Sequence, residues 1–278
     1  MIDNKIIRET QDLTWLEWSD IRYAGRTGGT FVKSAAIIEG RKIYYKLSNY
    51  DPLKGIVGHE CVNEIIVDRL FTILGVEHLG YQLIDAEIEL EGKRYHTYLC
   101  VSEDFRKPGE SKIALDDYYR VNKENAESPY DFCMRQGADW KKSIDQMIAV
   151  DFLILNRDRH GANIEVIRNA KTHTLRLAPL FDHGLSLLCT CTSEKDAAGF
   201  DSMEDKKCQN FIGGYSSYEN LTKIMSGQGE LFPGRLKETD RDRIFAGMQG
   251  ILPDLYLEKI WYMIWERYKV YENLSHHG

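Results

Sequence analysis

The chain has 278 residues, enough for one large domain or two compact lobes, each with its own core. Its 43% hydrophobic and 28% charged content is that of an ordinary globular protein, and a formal charge of −7 argues against a general nucleic-acid binder, because phosphate backbones are held mainly by clustered Lys and Arg. The polar, mixed-charge start from Met1 to Thr10, the lack of any run approaching a membrane span and the six scattered cysteines lead us to expect no secretory signal, no membrane contact and a reducing cytoplasmic location.

In chain order, strand patterns come first. Phe31 to Ile38 and Lys42 to Leu47 are joined by Glu39-Gly40-Arg41, and Tyr81 to Leu90 and Tyr95 to Val101 by Glu91-Gly92-Lys93; both read as hairpins. Between them Cys61 to Leu74 carries a helical stripe of Val62, Ile65, Ile66, Leu70 and Ile73 that stops at Gly75. After Ser102 to Gly109, the expected boundary, the pattern turns helical. Ile144, Met147, Ile148, Phe152 and Leu155 fit one helix, and Leu257, Ile260, Trp261, Ile264, Trp265 and Tyr268 another, its tryptophans read as core. Two short strands with a turn at Ala170 to Thr172 precede Asp182, and the glycine-punctuated stretch Thr190 to Gly234 is expected to be an irregular, mobile loop. The resulting expectation is an α+β fold, with an antiparallel-sheet N-lobe over 1–104 and a mainly helical C-lobe over 105–278.

The chemistry is concentrated in Asn156-Arg157-Asp158-Arg159-His160-Gly161-Ala162-Asn163 and in Pro179-Leu180-Phe181-Asp182. Asp158 stands five positions before Asn163, and a second carboxylate, Asp182, follows the strand pair. One carboxylate orients an attacking hydroxyl, while an amide oxygen and the other carboxylate hold magnesium against phosphates; that ion keeps waters and needs no all-protein cage. In the first lobe, Gly25 to Thr30 is a glycine-rich turn whose amides suit close approach to phosphates, with Gly28, Gly29 and Thr30 as the contacts. Lys46 lies in an otherwise apolar or aromatic strand, and the following helix offers Glu60 and Glu64 as ion-pair partners. Glu64, inside the apolar stripe, is the one expected to pair. By order along the chain, backbone groups at Cys100, Val101 and Ser102 would meet an adenine ring.

With these pieces in order, the chain resembles the HipA-like serine/threonine kinases, whose C-terminal domain carries an N-x-D-x-H-x-x-N loop followed by P-L-[YF]-D. Asn156, Asp158, His160 and Asn163, then Pro179, Leu180, Phe181 and Asp182, match as they stand. The resemblance runs from about Gly25 to Asp182 and implies a bilobal protein-kinase-like fold, ATP and Mg2+ as cofactors, Asp158 as catalytic aspartate, Asn163 and Asp182 as metal ligands, Lys46 as the ATP lysine, and His160 as a brace of the catalytic loop. The shortness of the chain before Gly25 makes it more similar to the compact CtkA-type members. Arg26 stands where HipA has its autophosphorylated serine, and neither the antitoxin partner nor the DNA operator of that family is implied.

The expected activity is therefore an ATP-dependent phosphotransferase acting on a serine or threonine of a protein substrate, with autophosphorylation at Thr27, Thr190, Thr192, Ser193 or Ser202 as a further expectation. Two alternatives belong to other classes. A nucleotide-binding pseudokinase or regulatory module would keep the fold but has no use for Asp158, and a metal-dependent hydrolase using Asp158, His160 and Asp182 would act without ATP. His183, Cys189, Cys191 and Cys208 present zinc-type donors, but without the paired C-x-x-C spacing they read as free loop cysteines.

Overall fold

The computed structural model describes residues 5–19, 31–214 and 216–277. Chain order begins with β1 (Ile6–Asp12), β2 (Lys33–Ile38), β3 (Arg41–Leu47), a small hairpin of β4 (Tyr50–Asp51) and β5 (Gly55–Ile56), α1 (Glu60–Leu74), β6 (Gln82–Leu90) and β7 (Lys93–Glu103). Five of these strands form one sheet in the order β1-β6-β7-β3-β2. Both expected hairpins are present and close through two residues of positive φ, Glu39 (50°) with Gly40 (77°) and Glu91 (52°) with Gly92 (74°), the backbone that matches the twist of the flanking strands.

The sheet buries both faces, and strand alternation decides what each face carries. Leu99 and Val101 of β7 and Tyr45 and Leu47 of β3 pack with Leu13 and Leu16, whereas Cys100 joins Ile65, Ile66 and Leu70 of α1 on the other face. Lys46, directly opposite Cys100, is thereby aimed at α1. The helix runs to Gly75, whose φ of 70° lets its N–H return to the carbonyl of Phe71. It is buried almost all round, with Glu60, Asn63, Glu64 and Asp68 inside as well as the apolar stripe.

Two features depart from the sequence pattern. The strand β1 was not anticipated: it pairs parallel with β6, so the sheet is antiparallel except at this edge, and its Ile-Ile-Arg-Glu-Thr-Gln-Asp sequence has no alternation because an edge strand is held by its ladder. The stretch 190–234, expected to be irregular and mobile, contains two helices and buries Ile212, Leu221, Ile224 and Phe232.

Beyond Glu103 the chain builds a second unit: β8 (Glu110–Ala114), α2 (Leu115–Asn122), α3 (Pro129–Arg135), α4 (Ala138–Leu153), β9 (Asp158–Arg159), β10 (Glu165–Asn169), β11 (Thr174–Leu177), α5 (Glu194–Gly199), β12 (Gln209–Asn210), α6 (Ser217–Met225), α7 (Arg241–Ile244) and α8 (Asp254–His277). Strands β11, β10 and β8 make a small antiparallel sheet, and β12 pairs parallel with β9. The core of this unit lies between α4, α6 and α8, where Trp261 stacks on Trp265 at 5.6 Å. Among the described residues no helix is long and apolar enough to cross a membrane.

Because α1 carries the site glutamates, its terminus is a point of leverage. A methyl at Gly75 would adopt a left-handed backbone and stand 3.2 Å from Pro233, so Gly75→Ala is expected to destabilise by about 1–2 kcal/mol or more in urea unfolding. Gly40→Ala, with the same backbone penalty but nothing within 4 Å of the added methyl, should cost less.

Candidate active site

Three elements distant in sequence deliver charge to one point. Lys46 Nζ of β3 lies 3.2 Å from Glu64 Oε1 of α1 and 2.9 Å from Asp182 Oδ1, with all three side chains largely buried. The second oxygen of Glu64 accepts the backbone N–H of His183 at 3.0 Å, and Asp182 receives Lys33 from β2 at 3.9 Å. Asp182 itself has φ of 62°, and its N–H donates to the Tyr81 hydroxyl at 3.2 Å. The following Gly184 packs closely on α1, since a methyl there would stand 3.1 Å from Glu60 Cβ. Asn63 fastens the same turn by donating to the carbonyls of Gly184 and Ser186.

Burial alone would neutralise these groups, and their proximity prevents it. Burial pushes the Asp182 carboxyl up, but Lys46, and after it Lys33, hold it well below the carboxylate range. Glu64 is likewise kept low against its burial by Lys46 and His183. Burial works against the Lys46 ammonium too, yet Asp182, Tyr81 and Glu64 keep it above the usual lysine value. Glu60, the helix carboxylate not chosen by Lys46, is pushed up by burial and accepts the N–H of Asn49 at 3.0 Å.

The second half of the site is the loop after α4. Arg159, 1% exposed, grips Asp151 of α4 with two hydrogen bonds of 2.9 and 2.8 Å and donates to the carbonyls of Asn163 and Phe181 at 3.2 and 3.0 Å. One guanidinium thus ties the helix, the far end of the loop and the residue before Asp182 together. Asn156 donates to Asp151 and accepts from the N–H of Asp158, and Asn163 donates its amide N–H to the Asp158 carbonyl at 2.9 Å. That bond occupies the amide nitrogen and leaves the amide oxygen of Asn163 as the atom of this side chain that a metal would take. Gly161 is obligatory here, because a methyl would stand 2.4 Å from Asp116 Cβ of α2. Leu180 is anchored by backbone bonds with Glu77 and Leu79.

The residues expected from sequence thus come together at Lys46, Glu64 and Asp182 on one side and Asp158 and Asn163 on the other. His160 differs from expectation: its Nε2 is buried without a hydrogen-bond partner, 3.8 Å from Asp158 Oδ1, and it is Arg159 that braces the loop. Of the backbone contacts expected at Cys100, Val101 and Ser102, Val101 and Ser102 line a cleft of about 830 Å³ together with Ile43, Tyr81, Glu103 and Asp104, whereas the Cys100 side chain packs toward α1. Cys100 and Val101 lie between β3 and β6 with partners on both sides, and β6 ends opposite Val101. The Asp104 N–H donates to Lys42 in β3, so the alternation of the ladder turns the amide and carbonyl of Glu103 toward the open edge. Gly28, Gly29, Thr30 and Thr27 lie outside the described residues. Of the other hydroxyls, Ser193 caps α5 and Thr192 bonds Asp196, while Ser202 is 3% exposed and closed to a phosphoryl donor in this conformation. Cys189, Cys191 and Cys208 are free thiols, and the described residues contain no cluster of three His, Cys, Asp or Glu side chains placed for a metal.

Sequence reasoning missed Lys33, Asp151 and Arg159. Two of them had a signal: Lys33 stands directly opposite Lys46 in the hairpin, and Asp151 is an acid inside the apolar run Met147 to Leu155, which had to find a cation.

Comparison with protein-family models and with curated proteins finds no match. Among solved structures, the chain is similar to the Helicobacter pylori proinflammatory kinase CtkA, with a TM-score of 0.67 at 14% identity over 96% of this chain and 98% of that one. HipA of Shewanella oneidensis MR-1, solved with HipB and operator DNA of its toxin-antitoxin system, aligns over 98% of this chain and 75% of that one at 13% identity, with a TM-score of 0.45. The chain therefore has a kinase fold, that of CtkA.

The charge network makes a pH-dependent prediction. In the wild type, Asp182 and Glu64 have depressed folded-state pKa values, so their stabilising contribution is complete above the unfolded carboxylate range near pH ~4 and is lost only as pH falls below it. Lys46→Met removes the main compensating charge and leaves burial to raise both carboxyls. The variant should then lose stability as pH rises, so its deficit against wild type in urea unfolding should be smaller at pH ~5 than at pH ~7. A deficit independent of pH would show that the three groups are not coupled.

Proposed function

We propose that the chain is an ATP- and magnesium-dependent phosphotransferase that acts on a serine or threonine hydroxyl of a protein. The observation that carries this reading is the position of Asp182, held at once by a strand lysine that also pairs with a helix glutamate, and by the backbone link through Arg159 to the loop bearing Asp158 and Asn163. A fold shared with a kinase supports it.

Each residue then has a task. Asp182 and the amide oxygen of Asn163 are the ligands suited to magnesium, both oxygen donors and one of them fully ionised. Lys46 and Lys33 present two ammonium groups to the same carboxylate, and so to phosphates bound beside it. Asp158, whose side chain is in no ion pair with Lys or Arg among the described residues, accepts the proton of the acceptor hydroxyl. The open backbone of Glu103 receives the base. Bound ATP and magnesium supply the transferable phosphoryl group and the charge that neutralises it.

Asp158→Ala and Asp182→Asn are expected to fail differently. Loss of Asp158 should leave the affinity for magnesium-ATP nearly unchanged and lower phosphotransfer by about 100-fold or more, as for an interaction made only in the transition state. Asp182→Asn should weaken magnesium-dependent nucleotide binding itself. Calorimetric titration alongside incubation with labelled ATP and a protein lysate separates the two, and full phosphotransfer by Asp158→Ala would end the assignment. ATP binding with no transfer by the wild type would favour the regulatory module instead.

A further inference from the structure

The strand β12 leads from the candidate catalytic loop into a cavity that none of the chemistry above uses. Gln209 and Asn210 pair in parallel with Asp158 and Arg159, and the N–H of Phe211 extends the ladder to the Arg159 carbonyl at 2.9 Å. The next residue, Ile212, is a wall of a cavity of about 280 Å³, together with Ile148 of α4, Ile224 of α6 and Tyr130 of α3. From Gln209, opposite Asp158, to Gly213 at its mouth is four residues, at most about 14 Å of chain.

The mouth is built rather than slack. Asn210 Oδ1 accepts the N–H groups of Ile212 and Gly213 at 2.9 and 3.2 Å, and Asn220 Oδ1 accepts that of Gly214. A methyl on Gly213 would stand 2.5 Å from the Asn220 side chain, which closes over this glycine, and Asn220 and Lys223 complete the rim of a mainly apolar hole. With the rim amides already bonded inside the loop, recognition falls to the cavity itself, in the way a pocket chooses one side chain of an extended polypeptide. The volume exceeds the ~150 Å³ of a dry cavity that takes up benzene and falls just below the ~300 Å³ of small-molecule sites, the scale of one bulky side chain rather than of a metabolite.

We propose that this cavity selects the protein acceptor: it receives a large aliphatic or aromatic side chain lying a few residues from the serine or threonine presented to Asp158. The inference rests on the phosphotransfer reading, and the occupant is an extended segment of the substrate protein because the cavity continues the strand that borders the catalytic loop. A small-molecule acceptor, by contrast, would have no group to place there.

The first measurement needs no catalysis. Protein with labelled isoleucine methyl groups is titrated with an Ala/Gly/Ser carrier peptide containing a single Leu or Phe, and with the same carrier lacking it. The methyls of Ile148, Ile212 and Ile224 should shift only with the apolar peptide, and their failure to move at millimolar peptide would overturn the proposal. In the second, serine-centred peptide libraries with one position randomised at a time are phosphorylated by the wild type. One fixed position should favour large apolar residues over alanine by about tenfold or more. Ile224→Phe, which fills the cavity from α6, should abolish both the methyl shifts and that preference; a flat library, or a preference intact in Ile224→Phe, sinks the idea. Methyl shifts without phosphorylation of any peptide would support the docking site and overturn the phosphotransfer reading alone.

Discussion

A lysine ammonium withdrawn from water between two carboxylates is the interaction on which the rest of this structure depends. Taking three charges out of solvent is costly unless each finds its partners at short range, and an isolated member of the set would be neutral. Lys46, Glu64 and Asp182 satisfy one another only if β3, α1 and the turn at 182–184 meet at one point. The local devices around them serve that convergence. Strand alternation aims Lys46 at α1, Asn63 clamps the turn, Gly184 lets it approach Glu60, and the left-handed backbone of Asp182 is held by Tyr81. A nucleotide phosphate entering this site would meet ammonium groups already oriented and desolvated, which is where electrostatic preorganisation is most effective.

Arg159 performs the complementary task on the other side. Its four hydrogen bonds run to an acid in α4, the end of its own loop and the residue preceding Asp182, so the position of Asp158 is not independent of that of Asp182. A guanidinium suits this use because its planar fork meets the Asp151 carboxylate with two bonds and still has donors for carbonyls. The pair is buried, and removal of either partner would leave an uncompensated charge in the core. Through β9 and β12 the same loop is coupled to the segment that lines the apolar cavity, so the proposed catalytic groups and the proposed acceptor pocket share one scaffold.

How much of this was legible in the sequence depended on whether the signal was local. The hairpins announced themselves through Glu-Gly turns, α1 through its apolar stripe and terminal glycine, and the loop from Asn156 to Asn163 through residue types and spacing. The pairing of Lys46 with Glu64 rather than Glu60 was readable from the apolar stripe, because both sides of α1 near Glu64 had to be buried. What escaped was held by partners far along the chain. The strand β1 has no pattern of its own, the contact of Lys33 with Asp182 spans 149 positions by their numbering, and the helices between 190 and 234 are short ones stabilised by packing on α4 and α8.

The sequence by itself determined the local elements, the residue types at the site and the resemblance through which their roles were first assigned, because turns, periodicity and motif spacing act over a few residues. Only the tertiary structure decided which amide of β7 stands open, that Arg159 rather than His160 braces the loop, and that a cavity lies beside β12. The physical reason is the same in each case. A ladder partner, a buried counter-charge and an empty volume are properties of groups brought together by folding, and no stretch of chain carries them alone.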